Sequence, residues 1–183
     1  NRIKDKEYAT KFIDYFINKS KHKKHLPDIK YLTDNFDVNL LHYAGRYGQN
    51  RAIDHLVKEC GFNINKLDVM ERTPLLYAVY GGHAATVKHI IENYQVDASH
   101  KEITGCSLLQ YAAASGSMEV YEYLHKHFLA TDLDPNEKSK LGNIPINWTA
   151  FYGHIDLCKK IVEKEGLEIL SIEDRRGRNT LAW

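Results

Sequence analysis

The residues best suited to chemistry are a run of carboxylates and a pair of histidines, and their spacing argues against a reaction centre. The segment Asp132-Leu-Asp-Pro-Asn-Glu137 has the acidic composition of a calcium-binding loop. It lacks the glycine that such a loop needs at its sixth position, and Asn143 stands where a bidentate glutamate belongs. His125 and His127 are two residues apart, so on a helix they point to different faces and make a poor metal pair. We therefore predict no metal and no cofactor, and we interpret both histidines as exposed.

The motifs of common enzymes are absent from the sequence. There is no GxxxxGK phosphate loop, no GxGxxG, no GxSxG and no HExxH. We predict that this stretch is not an enzyme and has no small-molecule substrate, although a catalytic domain elsewhere in a longer chain stays open.

The strongest basic cluster is Lys19-Ser-Lys-His-Lys-Lys-His25, which could contact phosphate, nucleic acid or lipid head groups. It carries no interleaved aromatic residues for base stacking, which favours a solvated linker. Lys and Arg number 25 against 24 for Asp and Glu, so the formal net charge of +1 creates no overall field for polyanions. Nucleic acid is the partner that the sequence favours least, and a steep salt dependence of binding would reveal it.

Composition predicts a folded protein of a reducing compartment. The 183 residues are 43% hydrophobic, which is enough to bury a continuous core. Cys60, Cys106 and Cys158 are odd in number and form no CxxC pair, which disfavours disulfides and zinc and favours the cytoplasm, or the cytosolic side of a membrane protein. No apolar run approaches the roughly 18 residues of a membrane span. The opening residues lack a signal-peptide profile and an initiator Met, so we expect a piece of a longer protein.

An internal repeat organises the chain. Four segments share one pattern of small, apolar and glycine positions, and a fifth copy begins near the end. The copies start at residues 39, 73, 107, 144 and 179, which gives spacings of 34, 34, 37 and 35. They read Asn39-Leu-Leu-His-Tyr-Ala-Gly-Arg-Tyr-Gly48, Thr73-Pro-Leu-Leu-Tyr-Ala-Val-Tyr-Gly-Gly82, Ser107-Leu-Leu-Gln-Tyr-Ala-Ala-Ala-Ser-Gly116, Ile144-Pro-Ile-Asn-Trp-Thr-Ala-Phe-Tyr-Gly153 and Asn179-Thr-Leu-Ala-Trp183.

These copies resemble the ankyrin repeat family, whose period is about 33 residues. The family signature Thr-Pro-Leu-His-x-Ala-Ala-x-x-Gly-His is nearly complete from Thr73 to His83. The other copies are more divergent: His42 keeps the signature histidine, whereas Leu76, Gln110 and Asn147 replace it. The resemblance implies an all-α, helix-turn-helix solenoid with short β-turn fingers, in which each repeat contacts only its neighbours.

The physics of one unit agrees with that fold. Pro74 and Pro145 suit the first position of a helix, where the missing N–H costs no bond. Glycines at 48, 82, 116 and 153 are placed to end that helix in a left-handed conformation. Ala44, Ala78, Ala112 and Ala150 are expected where neighbouring helices approach closely. The resemblance implies that His42, His83 and His154 hydrogen-bond the backbone, and we interpret Tyr43, Tyr77, Tyr111 and Trp148 as core packing between first helices.

The predicted organisation is a divergent capping unit over residues 1–38, repeats over 39–72, 73–106, 107–143 and 144–178, and the truncated start of another over 179–183. Residues 7–18 read as an amphipathic helix. Ile29 to Asn39 aligns with Val87 to Asp97, so we predict that it is the second helix of the capping unit. The first finger would then be missing near Asn39. The finger from Thr131 to Gly142 is about three residues longer than its neighbours, and insertions in solenoids often map to a binding face.

The candidate binding residues follow from the family, in which the residues just before each glycine face a concave groove and the fingers flank it. Tyr and Arg bring large contact area at modest entropic cost, and both are enriched at binding hot spots. The predicted protein-binding set is Arg46, Tyr47, Met70, Glu71, Arg72, Tyr80, Glu102, Ile103, Ser115, Lys140, Asn143, Phe151, Tyr152, Arg175 and Arg176.

The function that the resemblance implies is recognition of another protein through this groove and the finger tips. The alternative is that the repeats recruit substrates or direct targeting for a larger enzyme, such as a palmitoyltransferase, a kinase or a bacterial effector, or form the cytosolic arm of a channel. Transmembrane spans or a catalytic motif in the flanking sequence would separate these alternatives.

Overall fold

The structure is a computed structural model that describes residues 7, 10–11, 13–15, 17–18 and 31–182. The basic cluster of residues 19–25 and the terminal residue 183 lie outside the described residues. The described residues of the predicted N-terminal helix are helical. The chain forms two compact units, Asn1–Asp97 and Ala98–Trp183.

The first unit contains two helix pairs. The pairs are α1 (Leu40–Arg46) with α2 (Asn50–Lys58), and α3 (Pro74–Tyr80) with α4 (Ala84–Asn93). Within each pair the helices pack together, and α1 packs against α3. Its core, with side chains no more than 2% exposed, is aliphatic and contains Leu41, Ala44, Ile53, Leu56, Leu75, Ala78, Val79, Val87 and Ile90.

The second unit repeats this arrangement with longer helices. It contains α5 (Leu108–Ser115), α6 (Met118–Ala130), α7 (Pro145–Tyr152) and α8 (Ile155–Glu165), followed by 3-10 turns at Leu167–Ser171 and Thr180–Ala182. Helix α5 packs against α7. In the described part of the chain the only β pairing is a bridge between Thr33 and Asn39. The predicted all-α class is confirmed.

Three of the four first helices start at a side-chain cap that the sequence supplies, and α7 starts at Ile144, whose side chain cannot accept. The Thr73 hydroxyl accepts the Leu76 N–H at 3.2 Å, with Pro74 in the first turn. Asn39 accepts the N–H groups of Leu41 and His42 at 3.0 and 3.2 Å. Such caps satisfy N–H groups that have no partner within the helix. The following glycines at 48, 82, 116 and 153 have φ values of 73°, 74°, 74° and 73°, in the left-handed region that favours glycine.

The alanine prediction holds for three copies and is wrong for the fourth. Ala44, Ala78 and Ala112 are completely buried, as expected where two helices approach closely. In α7 the equivalent position is Thr149, which is also completely buried, whereas Ala150 is only half-buried. The Thr149 hydroxyl donates to the Ile146 carbonyl at 2.7 Å, so this polar group is buried with a partner and the small side chain still fits.

The fingers are five-residue turns, and they recur at the repeat period. In each, the N–H of the first residue donates to the carbonyl of the fifth, and the N–H of the fourth donates to the carbonyl of the first. The fourth residue has positive φ, between 59° and 86°. The fingers span 34–38, 68–72, 102–106, 139–143 and 174–178.

The first of these fingers corrects the prediction for Ile29 to Asn39. In the described part of that segment, residues 33–39 form a turn, not a second helix, and no finger is missing before Asn39. Asp34 accepts the N–H groups of Phe36 and Val38 at 2.8 and 3.0 Å, which closes the turn. Tyr31 and Phe36 are 73% and 62% exposed, so these apolar residues do not form the buried face that the alignment with Val87 to Asp97 suggested.

The aromatic residues that recur at one repeat position do not lie in the core, which corrects their interpretation as core packing between first helices. Tyr43 is 37% exposed, and Tyr77, Tyr111 and Trp148 are half-buried. Tyr43 donates its hydroxyl to Asp34 at 3.0 Å, and Tyr77 donates to Asp68 at 2.8 Å. Each of these tyrosines thus fastens a first helix to the finger that precedes it.

The signature histidines bind backbone, as the resemblance implied. Nε2 lies 3.0 Å from the Lys66 carbonyl oxygen in His42, 3.0 Å from that of Arg46 in His83 and 3.1 Å from that of Ala114 in His154. Burial lowers the pKa of His42. These contacts place the three histidines in the scaffold.

In two of the three copies that replace the signature histidine, Gln110 and Asn147 make similar bonds, whereas Leu76 in the remaining copy has no polar group to do so. The Gln110 side chain accepts the Ser107 N–H at 2.9 Å and donates to the Glu137 carbonyl at 3.3 Å. Asn147 accepts the Ile144 N–H at 2.9 Å and donates to the Thr180 hydroxyl at 3.2 Å. These two copies therefore keep the bond to the helix cap and a bond to a later segment.

His125 differs from the expectation of an exposed histidine. It is only 6% exposed, and its Nε2 lies 2.7 Å from a carboxylate oxygen of Glu165. The reason is that His125 belongs to the face of α6 that also buries Tyr121 and Leu124. A buried imidazole needs a partner, and Glu165 at the end of α8 supplies it.

Candidate protein-binding surface

In the first unit the predicted binding residues meet at the ends of α1 and α3. The Arg46 guanidinium lies over the Tyr80 ring, with its carbon 4.1 Å from the ring centroid. Tyr80 is 38% exposed, and Arg46 and Tyr47 are half-buried. A Cβ on Gly81 would come within 2.5 Å of the Arg46 carbonyl oxygen, so glycine permits this approach of α3 to α1. The arrangement offers an aromatic face already ordered by a cation.

The second finger of this unit presents Met70 and Glu71 outward. Met70 is 36% exposed, and Glu71 has φ of 59° at the turn position where later fingers have glycine. Arg72 was predicted beside them, but its side chain turns inward. Its Nε donates to Asp68 at 2.7 Å, and its guanidinium lies 5.1 Å from the centroid of the Tyr77 ring. Arg72 therefore holds the finger together.

A carboxylate at the first finger position explains how these turns are held, and the sequence analysis missed it. Asp68 is 5% exposed and accepts the N–H groups of Met70 and Arg72 at 2.8 and 2.9 Å. Asp34 makes the same kind of bonds in the first finger. Burial alone would raise the pKa of Asp68, but bonds from the Arg72 backbone, the Tyr77 hydroxyl and the Arg72 side chain bring it below its ordinary value.

A buried carboxylate at the first finger position also recurs in the second unit. Asp174 is 7% exposed and accepts the N–H groups of Arg176 and Arg178 at 2.7 and 3.0 Å, and its other oxygen accepts Arg178 Nη2 at 2.7 Å. Burial alone would raise the pKa of Asp174, but the bonds from Arg178 and Arg176 lower it overall. Glu102 binds the N–H groups of Thr104 and Cys106 at 3.1 and 3.0 Å.

Glu102 was predicted at the surface, and the structure places it inside its finger, where it is 3% exposed. Ser115 also serves the scaffold, because its hydroxyl donates to the Ala112 carbonyl at 2.8 Å and accepts the Ser117 N–H at 3.2 Å. Lys140 is exposed, but its ammonium donates to the Ile103 carbonyl at 2.8 Å. Ile103 is 42% exposed and stays an accessible apolar position.

A cavity of about 380 Å³ in the second unit collects four of the predicted residues, which are Asn143, Phe151, Arg175 and Arg176. It lies between α7 and the fingers that end at Asn143 and Arg178. Its remaining walls are Leu141, Asn147, Trp148, Asp174 and Arg178. The two fingers are joined by a hydrogen bond of 3.0 Å from the Arg175 N–H to the Leu141 carbonyl, so both walls belong to one continuous framework.

An aromatic cluster runs along the exposed side of α7. The Trp148 ring lies 6.1 Å from Tyr152 in a stacked arrangement and 6.3 Å from Phe151 edge-on, and Phe151 meets Tyr152 at 5.0 Å. Phe151 and Tyr152 are 54% and 45% exposed. Tyr152 also stacks with His154 at 6.1 Å, which connects the cluster to a scaffold histidine. Rings fixed in this way lose little entropy on binding.

Two polar atoms at the cavity are buried without a partner in the described part of the chain. They are the Trp148 indole Nε1, a donor, and the Asn143 Oδ1, an acceptor. Asn143 is 6% exposed. An unsatisfied buried donor or acceptor costs about 1–3 kcal/mol, and proteins rarely keep two together.

The residues of this surface that sequence reasoning missed are therefore Trp148, Leu141 and the finger carboxylates Asp34, Asp68 and Asp174, whereas Glu102 was named but assigned to the exposed tip. Trp148 had been interpreted as core. Two signals could have found them. The carboxylates at 34, 68, 102 and 174 recur in phase with the repeat, and Leu141 stands in the same finger position as Phe36, Met70 and Arg176.

The described residues contain no group of His, Cys, Asp and Glu that could hold a metal ion. No disulfide joins Cys60, Cys106 and Cys158, and burial raises the pKa of Cys106 to about 11. None of the helices in the described ranges has the length and apolarity to cross a membrane.

Paired helices, capped first turns, and fingers tied to each other define a protein of the helical-repeat class. The sequence matches the family model of ankyrin repeats in three overlapping copies, over residues 8–102, 41–132 and 78–173. The chain belongs to the ankyrin repeat family. Ankyrin repeats are in general non-catalytic modules that bind proteins.

Two curated relatives are similar to part of the chain. Palmitoyltransferase AKR1 of Lachancea kluyveri is 32% identical over 103 residues, which are 55% of this chain and 13% of that protein. A probable protein S-acyltransferase 23 of Arabidopsis thaliana is 34% identical over 58 residues, which are 30% of this chain and 11% of that protein. The match thus covers a small share of either relative.

Proposed function

We propose that this chain recognises a protein partner through the ends of its first helices and its finger tips. The observation that carries the proposal is the cavity of the second unit, where Asn143, Phe151, Arg175 and Arg176, all named from the sequence, line one space of about 380 Å³. Ordered aromatic and arginine side chains are the residues that dominate binding energy at protein interfaces. The face that holds them is the one that lines the concave groove in the family.

The first unit contributes a similar chemistry. Arg46 over Tyr80 presents a preordered ring, and Tyr47 and Met70 add half-exposed apolar surface. Cation–π pairs of this kind fix the geometry of a ring before a partner arrives, which lowers the entropic cost of binding.

The test is affinity purification from an extract of the source cells, with the chain as bait, followed by measurement of the affinity of a recovered partner. Tyr47→Ala, Tyr80→Ala and Tyr152→Ala together should weaken that affinity at least tenfold while the helical circular dichroism stays unchanged. The matched control removes three exposed apolar side chains elsewhere, by Leu129→Ala, Ile155→Ala and Leu167→Ala, which are 57%, 65% and 71% exposed. Equal affinity of the two triple variants for the recovered partner would overturn the assignment of the binding face.

The second candidate is that these repeats recruit substrates to a protein S-acyltransferase and lie on the cytosolic side of a membrane or in the cytoplasm. The similarity to the two acyltransferases supports it. An antibody against the repeats, used on extracts of the source cells, should then detect a membrane-associated protein much larger than 21.1 kDa. Peptides from that band should include a catalytic segment of the acyltransferase type, and a protein without one contradicts this second candidate.

A further inference from the structure

The cavity of the second unit has the size of a small binding site. Its volume of about 380 Å³ lies at the lower end of the range for ligand pockets, roughly 300–1,000 Å³. Such a space accepts one large side chain with its flanking backbone and is too small for a whole helix. A short segment in an extended conformation matches this size and keeps its backbone groups available for bonds.

The charge of the cavity is positive. Asp174 contributes the one carboxylate of the lining, and Arg178 neutralises it through two bonds of 2.9 and 2.7 Å. Arg175 and Arg176 are exposed, and neither forms an ion pair with any residue in the ranges that the structure describes. Two guanidinium groups at one edge of a cavity favour a carboxylate-bearing ligand, because they bind carboxylates in a bidentate way.

The cavity also has an apolar lining. Leu141 is 55% exposed and Phe151 is 54% exposed, and Trp148 is a further lining residue. One aliphatic residue together with two aromatic rings suits an apolar side chain. The cavity therefore offers one contact for an apolar group of a ligand and one for an anionic group.

The two buried atoms without partners supply a third kind of contact for a ligand, which is hydrogen bonding. Trp148 Nε1 can donate and Asn143 Oδ1 can accept. Every peptide unit offers one carbonyl acceptor and one N–H donor, so a bound backbone segment could partner both atoms once their side chains turn toward the cavity. A lone phosphate would leave the apolar lining and the Asn143 acceptor unmatched.

We propose that this cavity binds a short, extended, acidic segment of a partner polypeptide. An apolar side chain lies against Leu141, Trp148 and Phe151, and an adjacent Asp or Glu binds Arg175 and Arg176. The backbone between them accepts from Trp148 Nε1 and donates to Asn143 Oδ1. The inference rests on the proposed protein-binding function and specifies the chemistry of the partner.

The test follows the indole N–H signals in a proton–nitrogen correlation spectrum of the whole chain. The sequence has two tryptophans, and Trp148→Phe identifies the signal of Trp148. The probe is a blocked hexapeptide with leucine between aspartate and glutamate. The matched peptide has lysine in place of each acidic residue. Titration with the acidic peptide should move the Trp148 signal downfield and saturate below about 1 mM, whereas the lysine peptide should leave the signal in place.

Two double variants distinguish binding at this cavity from a general electrostatic attraction to positive charge. Arg175→Gln with Arg176→Gln should weaken binding of the acidic peptide at least fivefold. The control, Lys159→Gln with Lys164→Gln on α8, removes the same charge from exposed positions of the same unit and should leave the affinity within twofold. Dispersed spectra of both variants establish that they fold.

Three results would overturn the inference. They are no shift of the Trp148 signal up to about 5 mM peptide, equal weakening in both double variants, and tighter binding of a uridine oligonucleotide than of the acidic peptide. The proposed function is judged separately. If the recovered partner is lost on changing Tyr47, Tyr80 and Tyr152 while the acidic peptide does not bind, the protein-binding function stands and this inference falls.

Discussion

The carboxylate of Asp68 offers a direct measure of how much a finger contributes to stability. Its four hydrogen bonds divide into two kinds: Oδ1 accepts two backbone N–H groups, while Oδ2 accepts Arg72 Nε and the Tyr77 hydroxyl. In Asp68→Asn the amide oxygen can keep the backbone pair. The amide nitrogen cannot accept, so the bond from Arg72 is lost, and the Tyr77 hydroxyl can only turn to accept a weaker, neutral bond from the amide.

The expected loss is about 2 kcal/mol in the free energy of unfolding. A bond between charged groups contributes about 1.5–3 kcal/mol, and one from a neutral hydroxyl about 0.5–1.5 kcal/mol. The Arg72 side chain is 29% exposed, so solvent screening places its share at the lower end. The control is Asp37→Asn, which removes an exposed ion pair with Lys66 at another finger turn. Asparagine tolerates the positive φ at that position, so this variant should stay within about 0.5–1 kcal/mol of the original protein.

The assay is urea unfolding followed by helical circular dichroism, at pH 7 and at decreasing pH. The folded-state pKa of Asp68 is lowered, so the ionised carboxylate stabilises the fold. That stability is fully present above the unfolded pKa of about 3.9 and is lost as the pH falls through the folded pKa. The original protein should therefore approach Asp68→Asn on acidification below about pH 4. A difference between Asp68→Asn and Asp37→Asn of less than 0.5 kcal/mol at pH 7 would refute the structural role of this carboxylate.

Two further predictions concern the scaffold. His42→Gln should retain about 1 kcal/mol more stability than His42→Ala in urea unfolding, because Gln110 already makes the corresponding bonds to its helix cap and to a later loop carbonyl; equal losses would contradict that equivalence. Gly116→Ala should lower the melting temperature more than Gly153→Ala, since both glycines have left-handed φ but a Cβ at position 116 would lie 2.5 Å from the His154 ring, whereas one at 153 meets nothing within 4 Å. The second change should cost about 1–2 kcal/mol from the backbone alone, and identical effects in calorimetry would contradict the contact.

The sequence was sufficient to predict the helix pairs, because period, capping residues and glycines all indicate the same unit. It failed at Ile29 to Asn39, where alignment with Val87 to Asp97 suggested a second helix. The local bonds of Asp34 to Phe36 and Val38 close a turn there instead, and short-range side-chain bonds of this kind compete with helix formation. Alignment with a helical segment does not detect that competition.

The candidate site was predictable in position and less so in detail. Phe151, Arg175 and Arg176 line the cavity because the repeat register fixes which positions lie before the glycine and at the finger tip, and their role in binding stays a prediction. The inward orientation of Glu102 depends on its bonds to Thr104 and Cys106 in the same turn, and the recurrence of a carboxylate at that finger position was its sequence signal. The half-exposed state of Trp148 depends on the depth of one ring and cannot be derived from spacing.

The structure of the finger turn explains why the sequence predicts where the tip side chains lie better than it predicts what they contact. The first residue of the turn is held inward by bonds to the backbone of the same turn. In three fingers the second residue donates its N–H to the third residue of the finger before, as Val69 does to Phe36, Lys140 to Thr104 and Arg175 to Leu141. Those backbone groups are thereby satisfied within the scaffold. The side chains of these positions make none of those bonds and can differ between fingers, from Met70 in the first unit to Arg176 in the second. Because the turn fixes where these side chains stand without restricting their type, we expect the partner chemistry of each unit to depend on finger positions two and three, where the scaffold signature is silent.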